Sequence, residues 1–110
     1  MNFPLHVLAA DSPFYEGDCV SLVIPTLDGQ YGVQAGHSNT ICAIVPGILT
    51  YRTPDGETHP AAVAAGIMKI ENGEVLVLVD SALRPEEVDE VLELMMDLDA
   101  SDDQLESPIV

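Results

Sequence analysis

The chain has 110 residues, 47% of them hydrophobic, and no tryptophan, so it can bury one modest core. Nineteen Asp and Glu stand against three Lys and Arg, a net charge of -16 that leaves no electrostatic footprint for nucleic acid or an anionic membrane surface. The charge is uneven: residues 1–85 hold nine acids and three bases, whereas residues 86–110 hold ten acids and no base. A mildly acidic body therefore carries a strongly acidic C-terminal segment.

In chain order, Met1-Asn2-Phe3-Pro4-Leu5-His6 lacks the basic region and long apolar run of a secretory signal, and no stretch of about 18 apolar residues follows anywhere. Short apolar runs rich in β-branched residues then alternate with turn chemistry, the pattern of an all-β sandwich or barrel. Strands are expected at Phe3–Ala10, Cys19–Ile24, Tyr31–Val33, Ile41–Val45, Ile48–Arg52, Ala61–Ile70 and Glu74–Val79. The separators are Asp28-Gly29, Pro46-Gly47, Pro54-Asp55-Gly56 and Asn72-Gly73. Asn72-Gly73 is the strongest hairpin signal, because both central residues of a type I′ turn need positive φ. After Val79 the period changes: Val88, Val91, Leu92 and Met95 fall at i, i+3, i+4 and i+7. Pro85 suits the first helical position, and Glu86 and Glu87 suit the positive end of the helix dipole, predicting a helix over residues 85–98. Residues 99–110 lack the apolar material to offset their own ordering and read as a disordered acidic tail.

Candidate chemistry is thin. Cys19 and Cys42 have no metal-type spacing and are too few for a disulfide scaffold, so they read as core thiols in a reducing compartment. A nucleophilic set of Cys19, His37 and Asp28 lacks a motif that puts an activating base beside the thiol. His6, His37 and His59 lie on separate segments and show no ligand spacing. Asp97-Leu98-Asp99-Ala100-Ser101-Asp102 imitates the start of a calcium loop, but has Asp102 where the turn needs glycine and Pro108 where a bidentate glutamate belongs. The glycine-rich stretch from Asp28 to His37 leads into strand-like Ile41–Val45 with no following lysine, so it is no phosphate cradle. It instead frames His37 in a loop between Gly29, Gly32 and Gly36. No catalytic residue, metal or cofactor is expected.

That loop, Gly29-Gln30-Tyr31-Gly32-Val33-Gln34-Ala35-Gly36-His37, resembles the Gly-x-Phe/Leu-Gly-hydrophobic-x-Pro-Gly-His signature of the epsilon subunit of F-type ATP synthase. Phe14-Tyr15-Glu16-Gly17 with Val20–Pro25, and Ile44-Val45-Pro46-Gly47-Ile48, resemble further pieces of that family in order. So do Ala62–Ile70 and Val75-Leu76-Val77-Leu78-Val79-Asp80-Ser81-Ala82, and together the likeness covers residues 3 to 90. It implies a ten-stranded β-sandwich over residues 1–84, a C-terminal helix over 85–98 and the tail over 99–110. It also implies a non-catalytic role in the central stalk, peripheral on the cytoplasmic face of the bacterial plasma membrane. There the subunit would bind gamma and the c-ring and couple ion-driven rotation to ATP synthesis, with the C-terminal segment as a possible contact to the alpha/beta head.

By family position, Gln30, Tyr31 and His37 fall in the loop facing the c-ring; Gln30 stands where a glutamate is common, and Ala35 and Asn39 where prolines are usual. The family's nucleotide motif, Ile/Leu-Asp-x-x-Arg-Ala, reads here Val88-Asp89-Glu90-Val91-Leu92-Glu93, which leaves Asp89 as a remnant without the arginine. Only 26 residues follow Arg84, too few for a second long helix, so regulation by a C-terminal hairpin is expected to be reduced or absent. The alternative is a free-standing β-sandwich ligand-binding module. Such modules present aromatic platforms, whereas this chain has five scattered Phe and Tyr.

Overall fold

The structure is a computed structural model that describes residues 1–10, 12–90 and 92–94. Ten strands follow in order: β1 Phe3–Ala9, β2 Ser12–Cys19, β3 Ser21–Thr26, β4 Gly29–Gln34, β5 Thr40–Ile44, β6 Gly47–Arg52, β7 Thr58–Val63, β8 Gly66–Glu71, β9 Glu74–Val79 and β10 Ala82–Leu83. They form two five-stranded sheets, β2-β1-β9-β8-β5 (sheet A) and β10-β7-β6-β3-β4 (sheet B). All pairings are antiparallel except β1 with β9, which is parallel.

Period-two alternation builds the core. Phe3, Leu5 and Val7 of β1, with Val75, Val77 and Val79 of β9 and Met68 and Ile70 of β8, point inward from sheet A. Leu22, Ile24, Leu49, Tyr51, Ala61 and Val63 meet them from sheet B. No described polar or charged side chain is buried, so cohesion comes from apolar burial and the backbone ladders.

The mainly β sandwich expected from sequence is present, with three boundaries redrawn. The run Ala61–Ile70 is two strands in different sheets. Its buried positions shift parity, from Ala61 and Val63 to Met68 and Ile70, because Ala64 and Ala65 carry the chain across. β2 is a full strand although it carries Gly17 and two acids, since its outward face is solvated. In the β3–β4 hairpin, Thr26 pairs with Gly29, so the turn is centred on Leu27 and Asp28, with Gly29 at φ 110°. The Asn72-Gly73 turn matches expectation, with φ of 52° and 81°.

Ala10 also has positive φ, 54°, at the reversal joining β1 to β2, and its N–H donates to Val79 O at 2.9 Å. Left-handed backbone at a residue with a Cβ costs about 1 kcal/mol. Ala10→Gly is therefore expected to stabilise the domain by up to about 1 kcal/mol, the strain relieved exceeding the added freedom of the unfolded chain. A chemical-denaturation midpoint that fell would contradict this.

The described residues 85–90 and 92–94 are helical (α1). Pro85 opens the helix, and Val88 N–H donates to Arg84 O at 3.0 Å. Arg84 ties this corner together: one guanidinium nitrogen lies 3.3 Å from Glu87 Oε1 and another donates to Phe14 O at 2.8 Å, over the Phe14 ring. The remainder of the predicted helix and the acidic tail lie outside the described residues.

Candidate interaction surfaces

β4 is an edge strand of sheet B and β5 an edge strand of sheet A, so residues 35–39 cross between the sheets along one flank of the sandwich. His37 N–H donates to Gln34 O across a turn that needs positive φ at Gly36, 84°. Asn39 Oδ1 accepts from Asn72 N–H at 3.0 Å, fixing the connection against the β8–β9 hairpin.

Within this flank the His37 ring is held at both nitrogens. Nδ1 lies 2.9 Å from Ser38 O, and Nε2 lies 2.9 Å from the Tyr31 hydroxyl. A carbonyl oxygen can only accept, so Nδ1 carries a hydrogen and, in the neutral ring, Tyr31 O–H donates to Nε2. The two rings tilt at 58° with centroids 5.6 Å apart. Thus Tyr31 and His37 are brought together. Gln30 is exposed at the other end of β4, where it pairs with Pro25 beside the β3–β4 turn. Asp89 is exposed on α1, beside an apolar groove that includes Ile48, Leu83 and Val88.

The outward face of sheet A is the feature that strand-by-strand reading missed. In register, Pro13, Leu8, Leu78, Ile67 and Ala43 form one row across all five strands. Ile67 is 45% and Leu78 37% exposed, and Ile41 on β5 adds a side chain that is 71% exposed. The row beside it runs Ile41, Lys69, Leu76, His6 and Glu16. The sequence signal is the unbroken apolar runs Ile41–Ile44 and Val75–Val79: a strand covered on one side only should alternate, and these do not.

The other candidates dissolve into structure. Cys19 and Asp28 stand at opposite ends of β3, and Cys19 is buried, its thiol donating to Ser21 O at 2.9 Å. His6 lies within β1 and His59 stacks on Tyr51 with centroids 5.1 Å apart, so the three histidines occupy separate places. Asp55, Glu57 and His59 do bring ligand-type atoms within 4.8 Å of one another. The Asp55 carboxylate, however, already accepts from Thr53 Oγ1 and from Glu57 N–H, which closes the β6–β7 turn and lowers its pKa.

Burial is the main cause that pushes the Cys19 thiol and the Tyr15 and Tyr51 phenols up from their ordinary values. The folded state thus holds these protons more tightly than the unfolded chain, so stability present below about pH 9 is lost as the pH rises. Melting temperature should fall progressively above that point; a flat profile would refute the assignment. At neutral pH a thiol reagent is expected to label half-buried Cys42 while Cys19 resists until unfolding.

The sequence matches the model of the family described as ATP synthase, Delta/Epsilon chain, beta-sandwich domain over residues 2–85. The chain belongs to this family. The ATP synthase epsilon chain 2 of Photobacterium profundum is 32% identical over 90 residues, covering 81% of this chain and 61% of that protein. The ATP synthase epsilon chain of Psychrobacter cryohalolentis is 33% identical over 84 residues, covering 76% and 61%. The chain therefore spans about three fifths of the length of these curated relatives. A chain of the Euglena gracilis mitochondrial ATP synthase structure, OSCP/F1/c-ring in rotational state 1, superposes with a TM-score of 0.78 at 25% identity, covering 97% of this chain and 68% of that one. A chain of the Tetrahymena thermophila mitochondrial ATP synthase central stalk/c-ring shares the fold, with a TM-score of 0.66 at 12% identity over 77% of this chain and 68% of that one. The resemblance to the epsilon subunit of F-type ATP synthase, read from the Gly29–His37 loop and four further motifs in order, is thus borne out as family and as fold. The comparisons give the free-standing ligand-binding module no support. No helix among the described residues is long and apolar enough to cross a membrane.

Proposed function

We propose that this chain is the epsilon subunit of an F-type ATP synthase, a non-catalytic part of the central stalk that binds gamma and the c-ring and so couples ion-driven rotation to ATP synthesis. The observation that carries the reading is the exposed apolar row Leu8, Leu78, Ile67 and Ala43 on a sandwich belonging to the delta/epsilon family. An apolar row continuous across neighbouring strands suits a partner surface, and gamma is the partner that the family reading supplies. The closely packed sandwich transmits torque because its interior resists deformation.

The β4 edge, with Gln30, Tyr31 and His37, is assigned to the c-ring. Its contact is neutral, since Gln30 stands where a glutamate is common in the family. Asp89 keeps one member of the nucleotide motif, and Leu92 offers no positive charge to a phosphate, so the proposal includes no ATP site. The subunit would sit peripherally on the cytoplasmic face of the bacterial plasma membrane, as part of the assembled complex. Contact with the alpha/beta head is assigned to the C-terminal segment.

Co-elution with a cognate gamma subunit tests the reading. A one-to-one complex that persists at moderate salt is expected, because an apolar interface is not screened. Separate elution at both low and moderate salt would refute it.

A further inference from the structure

The Tyr31 hydroxyl has no counterpart in the signature, which carries Phe or Leu at that position. Residue 31 lies on an edge strand, half-buried, with its ring toward the interior side of β4. A phenylalanine would fill the same apolar space, so packing alone does not explain the oxygen. The oxygen meets His37 Nε2 at 2.9 Å, while Ser38 O engages Nδ1 at 2.9 Å.

We infer that Tyr31 is a positioning residue for His37, holding the imidazole in one orientation on the β4 flank while the Ser38 carbonyl fixes its Nδ1–H tautomer. The inference deepens the c-ring reading and rests on it for its consequence. With both ring nitrogens engaged inside the chain, His37 presents carbon edges to a partner. The polar handle left at the pair is the phenol oxygen of Tyr31, whose remaining lone pair accepts a hydrogen bond. The complementary group on the partner is therefore a donor, such as an amide or hydroxyl of a polar ring loop, and not a carboxylate aimed at His37.

Nitrogen-15 NMR of the histidine side chains in the full chain, at alkaline pH where imidazoles are neutral, reads the tautomer directly. In the unmodified protein, His37 should carry its hydrogen on Nδ1. In Tyr31→Phe the hydrogen should stay on Nδ1, because Ser38 O still engages it, while the Nε2 resonance should move to the position of a ring nitrogen that accepts no hydrogen bond. The phenylalanine keeps the ring and should stay folded, melting lower by no more than the few degrees that one hydrogen bond accounts for, so the readout separates positioning from folding. Finding Nε2–H in the unmodified chain, or an Nε2 resonance unmoved by Tyr31→Phe, would overturn the inference. Binding to a detergent-solubilised c-ring tests the consequence separately: Tyr31→Phe should bind severalfold more weakly, and equal affinity would remove the proposed donor contact. If neither protein binds the ring, the ring-facing reading fails, while the Nε2 resonance still decides the positioning role.

Discussion

Gly66→Ala is expected to destabilise the domain by at least about 3 kcal/mol, a large part of the total stability of a domain this size, or to prevent soluble folding altogether. A Cβ built on Gly66 would lie 1.9 Å from Leu78 O, 2.7 Å from Val79 Cα and 2.9 Å from Leu78 C. All three are backbone atoms of β9, so no side chain can swing aside. The cause lies in the topology. The chain passes from sheet B to sheet A through Ala64 and Ala65 alone, and returns from β9 to β10 through Asp80 and Ser81. The two crossings are laced together, with Ala64 N–H donating to Ser81 O at 3.0 Å and Asp80 N–H to Ala65 O at 3.1 Å. Gly66 begins β8 at this corner, paired on one side with Val79 and on the other with Ile44.

Urea titration of Gly66→Ala beside Gly17→Ala makes the comparison internal. At Gly17 the added Cβ meets only the Tyr15 side chain, with its hydroxyl at 2.9 Å; that ring packs on Tyr51 and its hydroxyl donates to Asp18 O at 2.8 Å, so it can yield only by loosening these contacts. The Gly17 variant should lose about 1–2 kcal/mol, clearly less than the Gly66 variant. Equal midpoints for the two variants would show that the β9 backbone yields at Gly66, and the argument from close approach would fail.

The same corner shows where the sequence stopped being legible. Alternation and turn residues located most strands, because inward positions such as Leu5, Val7, Val75 and Val77 recur with a period of two. Ala61–Ile70 read as one strand because a two-residue crossing of small apolar residues leaves no polar punctuation; only the shift of buried parity marks it. β2 was hidden for the opposite reason, since it buries little besides Cys19. The candidate site divided along similar lines. His37 stood out through its glycine frame, and Tyr31 with Gln30 through their family positions in the same loop. That the two side chains are bonded depends on the reversal at Gly36, which brings positions six apart in sequence together in space. The outward row of sheet A depends on registers across five strands, and those are long-range facts that no local window contains.

Ile67→Asp is expected to weaken binding to gamma by at least about thirtyfold, corresponding to about 2 kcal/mol, the cost typical of a central apolar contact. Ile67 sits near the middle of the row, paired with Ala43 on β5 and Leu78 on β9, and its side chain already points to solvent. A carboxylate there leaves the core untouched, because the inward positions of β8 are Met68 and Ile70. In the complex the carboxylate would lose water while Lys69, the cation on the same face of β8, is already paired with Glu71 at 2.6 Å, and a poorly compensated buried charge is more costly than a lost contact. Ile67→Thr provides the matched control: it keeps a β-branched side chain suited to the strand and removes apolar area without adding charge, so it should weaken binding by a smaller factor. Titration calorimetry against gamma, with thermal melting of each free variant, separates docking from folding. Undiminished affinity in a folded Ile67→Asp protein would place the gamma contact elsewhere and leave the uncovered row of sheet A to another partner.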